Sequence, residues 1–471
     1  MEGKRKQDER AAAVTEAGHQ PQNCEQIGSA SMYSVISNLA MAGRAAAPNG
    51  AGKAPYKALV CLFLDGGNDS FNMLAPLETA EFQRYKGARA DLALARDSWL
   101  TVNDRSEKGQ GRMYGVHPSM PEVAGLYNSG DLSFVCNVGT LIEPTSLDAV
   151  NRSVARLPLG LYSHADQVMQ WQTSTPDKRQ SEGWAGRAAE ILQSLNESDS
   201  ISMNISLSGT NIFQSGRHLV PYSITPDGAS LLSGYSDPTR GFFRKAVDSM
   251  LEQQHQNLLK QTYSTMTRRS IESGAQFLHA WKSAPSIATE FPASNLGQSL
   301  MGVARGIAAR EQLGMRRQTY FVRHAGWDHH DEVLANQGHM LGVVDQAIGS
   351  FWRSITEMGL QDSVVLFTAS DFGRTLSSNG KGSDHGWGGN QFVLGGKHKG
   401  GRLYGTYPED LALGNALDTG RGRLIPTLSV DEYYCELAQW LGVSAGDMPR
   451  ILPNIGRFHD LGSPPPLRMF S

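Results

Sequence analysis

Three short apolar runs, each closed by an aspartate, constrain what this 471-residue chain can fold into. Lys57-Ala58-Leu59-Val60-Cys61-Leu62-Phe63-Leu64 runs into Asp65-Gly66-Gly67. Gln318-Thr319-Tyr320-Phe321-Val322-Arg323 is followed by Trp327-Asp328-His329-His330. Ser363-Val364-Val365-Leu366-Phe367-Thr368-Ala369 ends in Ser370-Asp371-Phe372-Gly373-Arg374. Such runs are short for helices, and continuous apolarity rather than alternation marks strands covered on both faces. A sheet of that kind needs helices above and below it. Helical patterns do alternate with the runs, at residues 119–130, 163–173, 295–313 and 334–358, and a further strand reads at 132–138. The expected fold is therefore α/β, a three-layer sandwich with a central mixed, largely parallel sheet flanked by helices.

Caps mark several of these elements. Ser119 with Glu122 makes a capping box closed by Gly130, and Ser429-Val430-Asp431-Glu432 opens a last helix that Gly442 closes. Residues 201–207 alternate as a strand, and residues 239–284 read as a peripheral helical insertion. One domain is expected over residues 55–460, between a leader at 1–54 and a Pro-rich tail at 461–471 with no pattern for folding.

Composition narrows the partners. Forty-three Lys and Arg against 46 Asp and Glu give a net charge of -3, and no basic block stands out. That speaks against nucleic acid or an anionic membrane as the main partner. No apolar run reaches the length of a membrane span. The four cysteines are too scattered for a disulfide framework, and Cys61, Cys136 and Cys435 read as buried small hydrophobes. In the leader, residues 31–47 are moderately apolar, and Arg44-Ala45-Ala46-Ala47-Pro48 resembles a signal-cleavage region. Lys4-Arg5-Lys6 lies too far upstream of it. Export to the periplasm or medium is the reading preferred over a cytoplasmic protein with a flexible leader.

The chemistry concentrates where the runs end. In an open α/β sheet, ligands bind at the carboxyl ends of the strands. Carboxylate and imidazole together suit a divalent cation such as zinc or manganese. Asp328, His330 and His385 could supply one site, with His329 or His324 in place of His330, since spacing does not say which ring points inward. Asp65 alone reads as an Asp-Gly turn, but its place at a strand end beside Asp328 and Asp371 raises it to a ligand candidate. Ser163 has two readings. With Asp166 it is a good helix cap; beside a bound cation its hydroxyl is a candidate nucleophile. Ser236-Asp237-Pro238-Thr239-Arg240 fits a short sulfatase pattern, yet Asp237 as N-cap with Pro238 at N1 explains it without chemistry.

These motifs also carry a resemblance. Leu62-Phe63-Leu64-Asp65-Gly66-Gly67-Asn68-Asp69, Tyr114-Gly115-Val116-His117-Pro118, Ser163-His164 with Trp171-Gln172-Thr173, Gly326-Trp327-Asp328, Asp371-Phe372-Gly373-Arg374-Thr375 and Asp384-His385-Gly386 resemble the bacterial family called domain of unknown function 1501. Members often carry twin-arginine export signals, a motif this chain lacks. The family is similar to the alkaline phosphatase superfamily, which includes sulfatases, and the stretch 426–442 looks like the closing helix of sulfatases. The resemblance implies an alkaline phosphatase-like sandwich with two metals. Asp65 would be the first-strand ligand, and Ser163 the nucleophile. Asp328, His330 and His385 would hold one metal, and Asp371 would serve the other. Phe372 stands where that superfamily commonly has a histidine. The second metal site should therefore be empty or weak, unless Asp384 or a backbone group completes it.

The combined expectation is an exported, metal-dependent hydrolase of phosphate or sulfate esters acting on a small anionic ester. The metal would be zinc, with manganese, calcium or magnesium as alternatives, and Arg374 would bind the transferred group. The rival expectation is a non-catalytic binding or cell-surface protein that keeps the fold with a degenerate site.

Overall fold

The computed structural model describes residues 54–470 except 108, 110, 199–200, 230–234, 236–237 and 254–257. The leader, its cleavage-like region and Cys24 lie outside the described residues, as do Ser236 and Asp237. Among the described residues, a ten-stranded sheet forms the middle layer. In chain order its strands are β1 (Lys57–Asp65), β2 (Leu132–Gly139), β3 (Asn204–Ser206), β4 (Tyr222–Thr225), β5 (Gly228–Ala229), β6 (Arg317–Ala325), β7 (Val364–Ser370), β8 (Gly389–Gly395), β9 (Leu403–Gly405) and β10 (Leu428–Ser429). Across the sheet the order is β9, β2, β8, β7, β1, β6, β3, β4, β5, with β10 also paired to β2.

The three aspartate-tipped runs form the middle of that sheet. β1 lies parallel to both β7 and β6, with Leu64 opposite Ser370 and Asp65 opposite Ala325, so the three strands end together. β8 runs antiparallel between β7 and β2, and β5 runs against β4. The sheet is thus mixed and mostly parallel.

Helices that cover the sheet or reach the carboxyl ends of its strands include α1 (Pro121–Ser129), α2 (His164–Thr173), α3 (Trp184–Leu192), α4 (Asn295–Ala308), α5 (Val333–Glu357) and α6 (Val430–Leu441). Alternate residues of β1 serve two separate cores. Val60, Leu62 and Leu64 pack with Val123 of α1, Leu300 of α4 and Leu341 of α5. Leu59, Cys61 and Phe63 pack with Trp171 of α2, Trp184 of α3 and Leu437 of α6. Burying one such large side chain stabilises by roughly 1.5–3 kcal/mol, which is why this run is apolar at every position. Cys61, Cys136 and Cys435 are buried and unpaired, as small hydrophobes.

Some boundaries differ from expectation for physical reasons. Ser119 does not cap α1: the helix begins at Pro121, and the buried Asp345 of α5 accepts the N–H groups of Glu122 (3.2 Å) and Val123 (2.8 Å) instead. Burial pushes the Asp345 carboxyl up to about 6. The capping box of α6 forms as read, with Gly442 at its C-cap. Among the described residues, the stretch 239–284 includes the helices Gly241–Glu252 and Leu258–Ser283. The Pro-rich tail is docked, not loose. Glu436 of α6 accepts the N–H groups of Leu467, Arg468 and Met469, and Phe470 packs on Trp440.

Candidate metal centre

Two glycines let the loops after β1, β6 and β7 converge. The Asp65 carbonyl accepts the N–H groups of Gly326 and Trp327 at 3.1 Å each. Gly66 sits at φ +122°, and a Cβ there would lie 2.6 Å from the Asp328 nitrogen. Gly67 sits at φ +84°, and a Cβ there would lie 2.5 Å from the Phe372 ring. Only glycine permits this approach.

Four side chains meet above that turn. His164 is the first residue of α2, and Asp328 and His330 follow β6. His385 ends the second strand of a hairpin, Arg374–Ser378 with Ser383–His385, that follows β7. His385 Nε2 lies 3.1 Å from His164 Nε2 and 2.9 Å from His330 Nε2. Asp328 reaches His330 Nε2 at 3.0 Å, His164 Nε2 at 3.4 Å and His385 Nε2 at 3.4 Å. Ligand atoms of His164, Asp328 and His385 all fall within 4.8 Å of one another.

Each imidazole has its other nitrogen engaged. His164 Nδ1 meets Asp371 Oδ2 at 2.7 Å, His330 Nδ1 meets Asp384 Oδ1 at 3.1 Å, and His385 Nδ1 meets the Tyr162 carbonyl at 2.8 Å. An acceptor at Nδ1 places the proton there and turns the Nε2 lone pair inward. Three such lone pairs, 2.9–3.1 Å apart along His330, His385 and His164, repel unless a proton or a cation lies between them. Imidazoles oriented by carboxylates or carbonyls are the usual arrangement around zinc-like ions. The donor set of His164, Asp328 and His385 therefore fits a divalent cation, with His330 Nε2 beside it at 2.9 Å from His385 and 3.0 Å from Asp328.

Electrostatics support the same frame. The hydrogen bond to Asp371 raises the His164 pKa above its ordinary value. Burial, with the nearby charges of His164 and Arg374, lowers that of His385. Burial alone would raise the Asp328 carboxyl, but its hydrogen bond to Arg374, with His330 and His164 nearby, holds it below the usual carboxylate range.

The sequence-named residues separate into three groups. Asp328, His330 and His385 come together, and His330 rather than His329 or His324 supplies the inward ring. The latter two are largely buried, each packing against Trp327. Asp371, expected as a ligand of a second metal, lies with its Oδ2 2.7 Å from His164 Nδ1 and its Oδ1 accepting the Gly66 N–H at 2.9 Å. Asp65 shares the edge but pairs Oδ2 with the Arg323 guanidinium, and it is not gathered with the cluster.

Arg374 was expected to bind the transferred group. It is buried and donates to the carbonyls of Gly66, Gly67 and Ser383 and to Asp328. A guanidinium so engaged braces Asp328 and has little left for a substrate anion. Phe372 lies 4.8 Å from the His164 ring and 4.7 Å from the His385 ring, walling the cluster.

Ser163 is the N-cap residue of α2, but its hydroxyl makes no capping hydrogen bond. The residue before it, Tyr162, sits at φ +74°, an uncommon conformation for a bulky side chain. The sequence reading names Ser163 and gives His164 no role. The available signal was a histidine in the first turn of a helix, beside a residue already suspected of chemistry.

A family model described as "Protein of unknown function (DUF1501)" matches residues 56–416. No curated relative matches the chain. Among solved structures, the chain is similar to the lipoteichoic acid synthase LtaP of Listeria monocytogenes, at 9% identity over 77% of this chain and 72% of that one, TM-score 0.29. It is similar to the sulfatase PsFucS1 of Pseudoalteromonas sp. at 11% identity over 86% and 71%, TM-score 0.32. It is also similar to the C-terminal periplasmic domain of EcEptC from Escherichia coli in complex with Zn, at 8% identity over 74% of each chain, TM-score 0.28.

Proposed function

The chain belongs to the DUF1501 family, and we propose that this member is a metal-dependent hydrolase of phosphate or sulfate esters. One observation carries the reading: ligand atoms of His164, Asp328 and His385 gather within 4.8 Å of one another, with His330 Nε2 2.9 Å from His385, and His164 directly follows a serine whose hydroxyl is not spent on its helix cap. Three imidazoles favour a zinc-like ion over magnesium or calcium, which prefer all-oxygen sites. His164, His330, His385 and Asp328 would hold it. When bound, such an ion polarises an ester oxygen and lowers the pKa of a neighbouring hydroxyl.

The residues supply the remainder. Asp371, Asp384 and the Tyr162 carbonyl keep the three rings aimed, and Arg374 keeps Asp328 in place. Ser163 offers the nucleophilic oxygen at the start of α2, where a helix N-terminus favours an anion. Location outside the cytoplasm accompanies this reading, supported by the small-residue stretch before Pro48. Among the described residues, no helix is long and apolar enough to cross a membrane.

A second reading, a binding protein without turnover, is favoured by Arg374 being consumed within the fold. Hydrolysis of aryl phosphate and aryl sulfate esters, measured after chelation and again after zinc or manganese is restored, separates the two. Metal-restored turnover supports the hydrolase. Tight metal uptake with no turnover on either ester class supports the binding protein.

A further inference from the structure

We propose that the loop of residues 418–423 holds the imidazole cluster in its ligating geometry, with Arg421 positioning His330 through Asp384. The loop lies just past the family match at 56–416. Its role rests on the reading of the cluster as a divalent-ion site.

The loop is rigid by construction. The buried Asp418 accepts the N–H groups of Gly420 and Gly422 on Oδ1 at 2.7 Å each, and that of Gly414 on Oδ2 at 2.7 Å. Gly420, Arg421 and Gly422 all have positive φ, at +115°, +64° and +73°. For a non-glycine residue such as Arg421, that conformation is costly and persists only where surroundings enforce it. A Cβ on Gly422 would lie 2.4 Å from Leu376, so the loop presses against the hairpin strand Arg374–Ser378. Hydrogen bonds stitch the two together. Leu376 N–H donates to the Gly422 carbonyl at 3.2 Å, and the Ser377 N–H and hydroxyl donate to the Arg421 carbonyl at 3.2 and 2.9 Å.

Fixed in this way, the loop reaches two of the three rings. Arg421 Nη2 lies 2.5 Å from Asp384 Oδ2, and Asp384 Oδ1 lies 3.1 Å from His330 Nδ1. Arg423 donates from Nε to the His385 carbonyl at 2.9 Å and lies 4.8 Å over the Tyr162 ring, whose residue's carbonyl meets His385 Nδ1. The Tyr162 hydroxyl returns to Thr419 of the same loop at 3.1 Å.

The three rings are therefore not held alike. His164 is fixed by the buried Asp371. His330 is the most exposed ring, and its orientation depends on an Asp384–Arg421 pair that water can reach. Outer partners of this kind set the tautomer and aim of a ligating histidine. Arg421 acts through Asp384 and is a positioning residue.

The test uses the full-length protein, with zinc affinity measured by chelator competition and the visible spectrum of the cobalt(II) form as a geometry readout. Asp384→Asn should weaken zinc by roughly 10–100-fold, and Arg421→Gln by part of that factor with a changed cobalt band. Arg421→Lys should recover some of the loss. Added sodium chloride should weaken wild-type affinity toward the Arg421→Gln level, because an exposed pair is screened, and should barely move the variant. Thermal unfolding of metal-free Arg421→Gln should match wild type. An Arg421→Gln protein with wild-type zinc affinity and cobalt spectrum overturns the loop's role alone. So does one that loses affinity and metal-free stability together while salt leaves wild type unmoved. A wild-type protein that binds neither ion overturns the metal-site reading, and the loop's role with it.

Discussion

His164 and Asp371 divide a task that either could appear to perform alone. Asp371 is 1% exposed, and both its oxygens are engaged inside the protein, so it aims His164 without facing the cluster centre. Replacing the ring removes a donor; replacing the carboxylate only loosens one. We therefore expect His164→Ala to abolish tight zinc binding and Asp371→Asn to weaken it roughly 10–100-fold, as read by chelator competition. Equal losses would place Asp371 among the ligands. Ser163 poses a different question. Its hydroxyl makes no cap bond, so Ser163→Ala should cost less than the usual cap loss of about 1 kcal/mol. If it is the nucleophile, the variant keeps its metal and loses ester turnover. Undiminished turnover in folded, metal-loaded Ser163→Ala would remove it from the mechanism.

Among the elements, α6 carries a titratable group the site does not use. Asp431 is fully buried, and burial pushes its carboxyl up to about 8 against the opposing pull of Ser174 and Arg187. In the unfolded chain it titrates near about 3.9. Between those values the folded protein holds a proton that the unfolded chain releases, so this contribution to stability is fully present below about pH 4 and is lost as pH rises through about 8. Urea unfolding at pH 5 and pH 8 should show wild type losing stability relative to Asp431→Asn across that interval. Parallel pH dependences would show that Asp431 does not titrate there.

The elements also show where pattern reading works. β1 and β7 were legible because a strand covered on both faces must be apolar at nearly every position. The cap of α1 was not, because Ser119-x-x-Glu122 has the right local spacing while the acceptor in use, Asp345, arrives from a helix more than two hundred residues away.

For the molecule taken together, the carboxyl edge of the sheet was readable, as was the gathering of Asp328, His330 and His385, while the partners of the other strand-end groups were not. A strand-ending aspartate announces its position, but whether it faces a cation, an arginine or a histidine depends on chain distant in sequence. Asp65 meets Arg323, Asp371 meets His164, and Asp328 is braced by Arg374. The loop at 418–423 gave no signal at all, since glycine and arginine in alternation read as an ordinary turn.

Everything proposed for this fold depends on its histidines and Asp328 acting together as one divalent-ion site. Metal stoichiometry by mass spectrometry, after equilibration with limiting zinc and removal of free ion, probes that dependence when wild type and His164→Ala are compared. One tightly held ion per wild-type chain and none in the variant is the expected result. No ion in wild type, two equally tight ions, or an ion retained by His164→Ala would contradict it.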